Sequence, residues 1–124
     1  MKEEIKRWIG LAKDDFKSAE INFNNKRYYV CVFLSQQSAE KILKAVLISK
    51  TGKLIKTHDL FFIARKVDAP ENILKMCEKL NNVYLDARYG DVGGKLPSKK
   101  FNMKNSIELL KHAEEILKWS KQNI

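Results

Sequence analysis

The stretch Phe33-Leu34-Ser35-Gln36-Gln37-Ser38-Ala39-Glu40-Lys41-Ile42-Leu43-Lys44-Ala45-Val46-Leu47 decides how the chain folds. It lies inside a longer segment, Tyr28 to Lys50. There Val30, Val32, Phe33, Leu34, Ile42, Leu43, Val46 and Leu47 fall on every side of a helix. A helix that is apolar all round belongs at the centre of a packed domain. The segment stops at Thr51-Gly52, where glycine suits the left-handed residue that ends a helix. Within it, Gln37, Glu40 and Lys44 are spaced i, i+3 and i+7 and share one face. Polar groups in so apolar a helix need partners. Those partners are groups on other helices, a second subunit or a ligand phosphate.

The flanking segments carry helical periods of their own. Upstream, Ile5, Trp8, Ile9, Ala12, Phe16, Ala19 and Phe23 recur every three or four residues, which predicts an amphipathic helix over Lys2 to Asn24. The link Asn25-Lys26-Arg27 is short enough for an antiparallel hairpin with the central helix. Downstream, a short helix is predicted over His58 to Lys66, with Thr57 as its cap and Asp59 in its first turn. Asp68-Ala69-Pro70-Glu71 reads as a capping box with an early proline, opening a helix over Pro70 to Ala87. Its inner face is Ile73, Leu74, Cys77, Leu80 and Tyr84. Three glycines and a proline make Tyr89 to Lys100 a loop. The last helix covers Asn102 to Lys121, with Met103, Ile107, Leu110, Ile116 and Leu117 inward. No segment reads as sheet. The expectation is one all-α domain over residues 1–124, an up-and-down antiparallel bundle of four to five helices.

The chain has 24 basic and 15 acidic residues, a formal charge of +9. That balance attracts polyanions such as RNA, nucleotides or an acidic protein, and it equally serves solubility. Cys31 and Cys77 sit inside apolar helical patterns and read as reduced core thiols. No signal-peptide pattern opens the sequence, and no apolar run reaches ~18 residues. A cytoplasmic protein without membrane association is expected. Neither histidine has acidic or cysteine companions at metal-ligand spacing, so neither a metal nor a cofactor is expected. Phosphate-loop, dinucleotide and nucleophile-elbow motifs are missing, and no helix-turn-helix stands out.

The fourth helix leads into Tyr84-Leu85-Asp86-Ala87-Arg88-Tyr89-Gly90-Asp91. Arg88 leaves the predicted helix where the glycine-rich loop begins, and its planar guanidinium suits a phosphate or a carboxylate. Tyr84 and Tyr89 can stack on a base or pack. Lys95, Lys99, Lys100 and Lys104 follow with no acid between them, a basic run that can face a polyanion. His58 is either a capping residue or a catalytic candidate together with Arg88. His112 is expected on the surface.

Taken in order, these motifs resemble the HEPN domain, a helical family of prokaryotes and some animals. Trp8 followed by Ala12-Lys13-Asp14-Asp15-Phe16-Lys17-Ser18-Ala19 is similar to the family's Ala-x-x-Asp-Leu/Phe-x-x-Ala opening. Phe33 to Lys41 with Leu43-Lys44-Ala45 looks like its most recognisable element. Thr57-His58-Asp59-Leu60 matches the next, and Arg88-Tyr89-Gly90-Asp91 is similar to the family's Arg-Tyr-Pro-Asp. The resemblance covers nearly the whole chain. It implies an antiparallel bundle that is usually a homodimer. It also implies a frequent partner, a minimal nucleotidyltransferase, in two-gene toxin–antitoxin modules. Many members are metal-independent RNases that use Arg-x(4–6)-His at the dimer cleft.

Here no arginine stands at that spacing before either histidine, so the catalytic pair does not carry over. Gly90 replaces the usual proline, which predicts a looser turn after Arg88. What does carry over is a candidate cleft of Gln37, Glu40, Lys44, His58, Arg88 and Asp91. Three functions stand open. The first is a module binding nucleotide, RNA or a nucleotidyltransferase through Arg88, Lys44 and the Lys95–Lys104 loop. The second is a metal-independent endoribonuclease in which His58 approaches Arg88 in space. The third is a structural partner without ligand.

Overall fold

The helical periods of the sequence become six helices in a computed structural model that describes residues 2–91 and 93–124. They are α1 (Glu3–Asn24), α2 (Tyr28–Thr51), α3 (Leu60–Lys66), α4 (Glu71–Tyr89), α5 (Pro97–Lys100) and α6 (Met103–Gln122). No strand occurs among the described residues. None of the helices is long and apolar enough to cross a membrane, among the described residues.

The all-round apolarity of α2 has the expected consequence: it packs against each of the other five helices. Ile42, Leu43, Val46 and Leu47 are buried on its several sides. α1 lies along it, presenting the small residues Ala12 and Ala19, both fully buried. Small side chains let the two backbones come close enough for Ser38 Oγ to donate to the Ala12 carbonyl at 2.7 Å. The ion pair Lys41–Asp15 ties the same two helices nearer the surface. α2 ends where glycine predicted it, with Gly52 at φ +74°.

Helix ends differ from the sequence expectation in several places. Asp59, not Thr57, caps α3: its Oδ1 accepts the Phe62 N–H at 3.1 Å. Thr57 Oγ1 instead accepts the Asp59 N–H at 3.1 Å, which keeps His58 and Asp59 outside the helix. Asp68 makes no capping box, because it takes φ +57° in the tight turn that closes α3; the Ala69 N–H there reaches the Ala64 carbonyl at 3.0 Å. Short polar side chains tolerate that conformation best. α4 runs on past Ala87 to Tyr89, and α5 interrupts the predicted loop, with Pro97 as its first residue. Asn102 and Asn105 form a reciprocal capping box at the start of α6. Met103 is not inward there; it is exposed, and Phe101 just before the cap is buried instead.

Candidate functional site

Glu40 is the hinge of the polar face on α2. It is buried, as is Lys44 one turn on, and Lys44 Nζ donates to Glu40 Oε2 at 2.8 Å. The other oxygen, Oε1, accepts from His58 Nδ1 at 2.9 Å and from Gln36 Nε2 at 3.4 Å. Gln36 also donates to the His58 carbonyl at 3.4 Å, so it grips both ends of the contact. A buried ion pair is tolerable only when its remaining hydrogen-bonding capacity is met, and here each carboxylate oxygen has a partner. Lys44 Nζ lies 5.6 Å from the centre of the Trp8 ring, which completes its surroundings from α1.

His58 reaches α2 because the residues after it are anchored. Leu60 is fully buried, its N–H donates to Asn81 Oδ1 at 2.9 Å, and Asn81 Nδ2 donates to Asp59 Oδ1 at 2.8 Å. α4 thus holds the turn that presents the imidazole. A carboxylate only accepts hydrogen bonds, so the ring proton sits on Nδ1 in the neutral tautomer and Nε2 turns its lone pair outward. The His58 side chain is 67% exposed.

α4 also supplies the platform beside it. Tyr84 stacks on His58 with ring centres 5.9 Å apart and planes 21° apart. On Tyr84's other neighbour, Phe33, the figures are 6.3 Å and 22°. One turn further along α4, Arg88 Nη1 donates to the Tyr84 hydroxyl at 2.7 Å. Its guanidinium carbon lies 5.6–5.9 Å from the rings of Phe33, Tyr84 and Tyr89. Arg88 makes no ion pair among the described residues. A shallow cavity of about 180 Å³ opens next to it, lined by Tyr29, Val30, Phe33, Ala87 and Arg88. His58 and Arg88, far apart along the chain, therefore share one tyrosine.

The remaining candidates sort by what they touch. Gln37 Nε2 donates to Gln36 Oε1 at 2.8 Å, so it acts on the cluster through Gln36. Asp91 closes the loop: its Oδ1 accepts the Lys95 N–H at 2.9 Å, and its carbonyl accepts the Gly94 N–H at 3.0 Å. The Lys95 N–H holds its carboxyl below the usual carboxylate range, with the Lys100 charge and the Gly93 N–H adding to the effect. Lys100 Nζ lies 2.7 Å from Asp86 Oδ2 and 3.7 Å from Asp91 Oδ2. Chiefly through Asp86, this raises its pKa. The basic run is acid-free in sequence but not in space. Lys95 and Lys99 are exposed, whereas Lys100 is committed to the loop.

Two expectations need correcting. The turn after Arg88 is tight rather than loose. Gly90 has φ +86°, and a Cβ there would stand 2.2 Å from the Lys95 carbonyl oxygen. No proline can take that φ, and only glycine lets the two backbone segments approach so closely. His112 is not a surface residue. Its side chain is 17% exposed, because it falls three residues after Leu109 and four before Ile116, both buried. Its Nε2 stands 3.5 Å from Glu108 Oε1, and burial lowers its pKa. Sequence reasoning missed Gln36, Trp8 and Asn81 as parts of the site. Gln36 had a readable signal, one helical turn before Glu40 on the same face. Asn81 had none, since its role is to grip a distant turn.

An all-helical bundle with a polar cluster on its central helix defines the class of protein, and comparison with known families gives the class its name. The HEPN domain family model matches residues 5–124, and the chain belongs to that family. Among solved structures, ST0689, described as an archaeal HEPN homologue, is 28% identical with a TM-score of 0.83, covering 98% of each chain. TT1696 from Thermus thermophilus superposes with a TM-score of 0.90 over 99% of this chain and 100% of that one. At 22% identity it speaks for the fold alone. No curated protein matches the sequence.

Proposed function

We propose that the chain is a homodimeric module that binds a nucleotide or RNA at Arg88 and His58, and that it works with a minimal nucleotidyltransferase partner in a toxin–antitoxin type pair. One observation carries the reading: the Arg88 guanidinium is held against three aromatic rings, with no carboxylate paired to it among the described residues. A cation fixed in place, with its charge unmatched, is prepared for an anion. Tyr89, 71% exposed beside it, offers a ring face to a base. Lys95 and Lys99 add charge that draws in a phosphate backbone. Gln37, Glu40 and Lys44 serve as support under His58, and Asp91 and Lys100 hold the loop. Leu85 and Leu96, 62% and 63% exposed, supply an apolar surface for a second copy to cover.

Isothermal titration with ATP and a short single-stranded RNA tests this reading, with molar mass by light scattering and co-purification of the neighbouring gene product. Binding is expected, with Arg88→Ala weakening it roughly tenfold to a hundredfold, as loss of a charge-assisted hydrogen bond does. A monomer that binds none of these ligands or proteins overturns it.

A second reading, a metal-independent endoribonuclease, is favoured by the Glu40–His58 contact. An imidazole oriented by a carboxylate, with Nε2 free, can take the proton of a ribose 2′-hydroxyl while Arg88 holds the phosphate. Cleavage of a labelled RNA in EDTA should then disappear in His58→Ala and Arg88→Ala. Equal cleavage by both variants eliminates this site.

A further inference from the structure

We infer that the outer face of His58 is the base-stacking platform of the site, and that Glu40 is the residue that positions it for a ligand carrying a planar base and an anionic tail, a nucleoside phosphate. The inference rests on the nucleotide-binding reading above and goes further by assigning where the base sits.

Tyr84 stacks with two rings, Phe33 and His58, whose planes deviate from its own by only 22° and 21°. Phe33 and Tyr84 are both partly buried. His58 is the exposed member of the three, with two-thirds of its side chain open to solvent. An exposed ring ordinarily turns freely among its rotamers. This one is restrained at three points: Nδ1 on Glu40, its backbone carbonyl under Gln36, and one face on Tyr84. Glu40 and Lys44 would already satisfy each other as a pair. The second carboxylate oxygen is nevertheless directed at a residue that buries little surface of its own. What that contact fixes is the orientation of an exposed aromatic face. A planar base laid on that face adds an offset-stacked contact, an interaction that tolerates any base. Arg88, hydrogen-bonded to the same Tyr84, supplies the counter-charge for the phosphate tail. Ligands with phosphate but no base lack half of these contacts.

Two measurements test the assignment: affinities for AMP and ribose 5-phosphate by titration, and quenching of a 2-aminopurine placed in a short single-stranded RNA. Both are made on the wild type, His58→Ala, His58→Phe and Glu40→Gln, with helical content checked by circular dichroism. The wild type should bind AMP roughly tenfold tighter than ribose 5-phosphate, the size that one stacked base provides. His58→Ala should erase that preference while ribose 5-phosphate affinity stays within twofold. His58→Phe should keep part of the preference, because a ring is retained, but should reduce quenching as Glu40→Gln does, because Glu40 no longer has a ring nitrogen to orient. Glu40→Gln should reduce quenching although the imidazole is still present. Unchanged preference and quenching in His58→Ala overturn the platform, as does complete loss of the AMP preference in a folded His58→Phe. Unchanged quenching in Glu40→Gln overturns the positioning role. In each of those cases Arg88-dependent binding leaves the parent reading standing. Failure of the wild type to bind AMP, ribose 5-phosphate and RNA alike overturns both.

Discussion

Glu40 and Lys44 sit almost fully enclosed on the most apolar helix of the molecule. Removing one member leaves the other charge buried and unmatched, which costs more than the pair contributes. Glu40→Ala is therefore expected to lower unfolding free energy by about 3–5 kcal/mol in urea titrations. The double variant Glu40→Ala/Lys44→Met should recover most of the loss, and failure to recover would show that the carboxylate acts through other contacts. His112 makes a pH prediction. Burial holds its pKa below the ordinary imidazole value, with Glu108 partly opposing the shift. The unfolded chain takes up a proton near pH ~6.5, whereas the folded chain does so only at lower pH. Protons thus favour unfolding in that interval. Stability is fully present above about pH 6.5 and falls as the pH drops through it. Glu108 and Asp91, whose pKa values are lowered in the fold, add to the loss at more acid pH. Urea titrations in steps from pH 8 to 5 should show a smaller decline for His112→Gln than for the wild type; parallel declines would contradict the assignment.

At the scale of the element, α2 behaves as its composition dictates. Leu43 is fully buried, and Leu43→Ala should destabilise by about 2–5 kcal/mol. Phe33→Ala should cost less, because one side of that ring lines the cavity beside Arg88. Equal losses in the two variants would mean that the ring is packed more tightly than its exposure indicates. The end of α4 depends on Gly90. Gly90→Ala forces a side chain into a left-handed residue and against the Lys95 carbonyl, at a cost of order 1–3 kcal/mol. Hydrogen exchange should accelerate at the Gly94 and Lys95 amides that Asp91 holds, and no change there would separate the loop from its glycine. The existence and period of the five longer helices were legible along the chain, but α5 and several caps were not. The Asp68-x-x-Glu71 pattern satisfied a capping rule, yet the turn that closes α3 had already claimed Asp68 for a left-handed residue. The cap at Asn102 uses Asn105 in place of the acid that the rule looks for.

For the molecule as a whole, the proposed RNA binding, supported by a formal charge of +9, should weaken steeply with salt. Arg88→Ala should lower the slope of log K against log salt by about 1. Lys100→Ala should leave it nearly unchanged, because Asp86 and Asp91 already answer that charge. A slope equally reduced in both variants would mean that the loop opens on binding. Much of the outline of this protein was settled by its sequence: the helices, the central place of α2, the buried cysteines and membership of the HEPN family. The first three follow from local periodicity and composition, and the last from the likeness of its motifs to the family's; a linear string carries all of these. The meetings among polar side chains were decided only by the tertiary structure. His58 reaches Glu40, Tyr84 joins His58 to Arg88, and Lys100 turns back to Asp86, because turns and helix ends set where each side chain stands. Those placements depend on packing among several elements at once, and no spacing along a single helix encodes them.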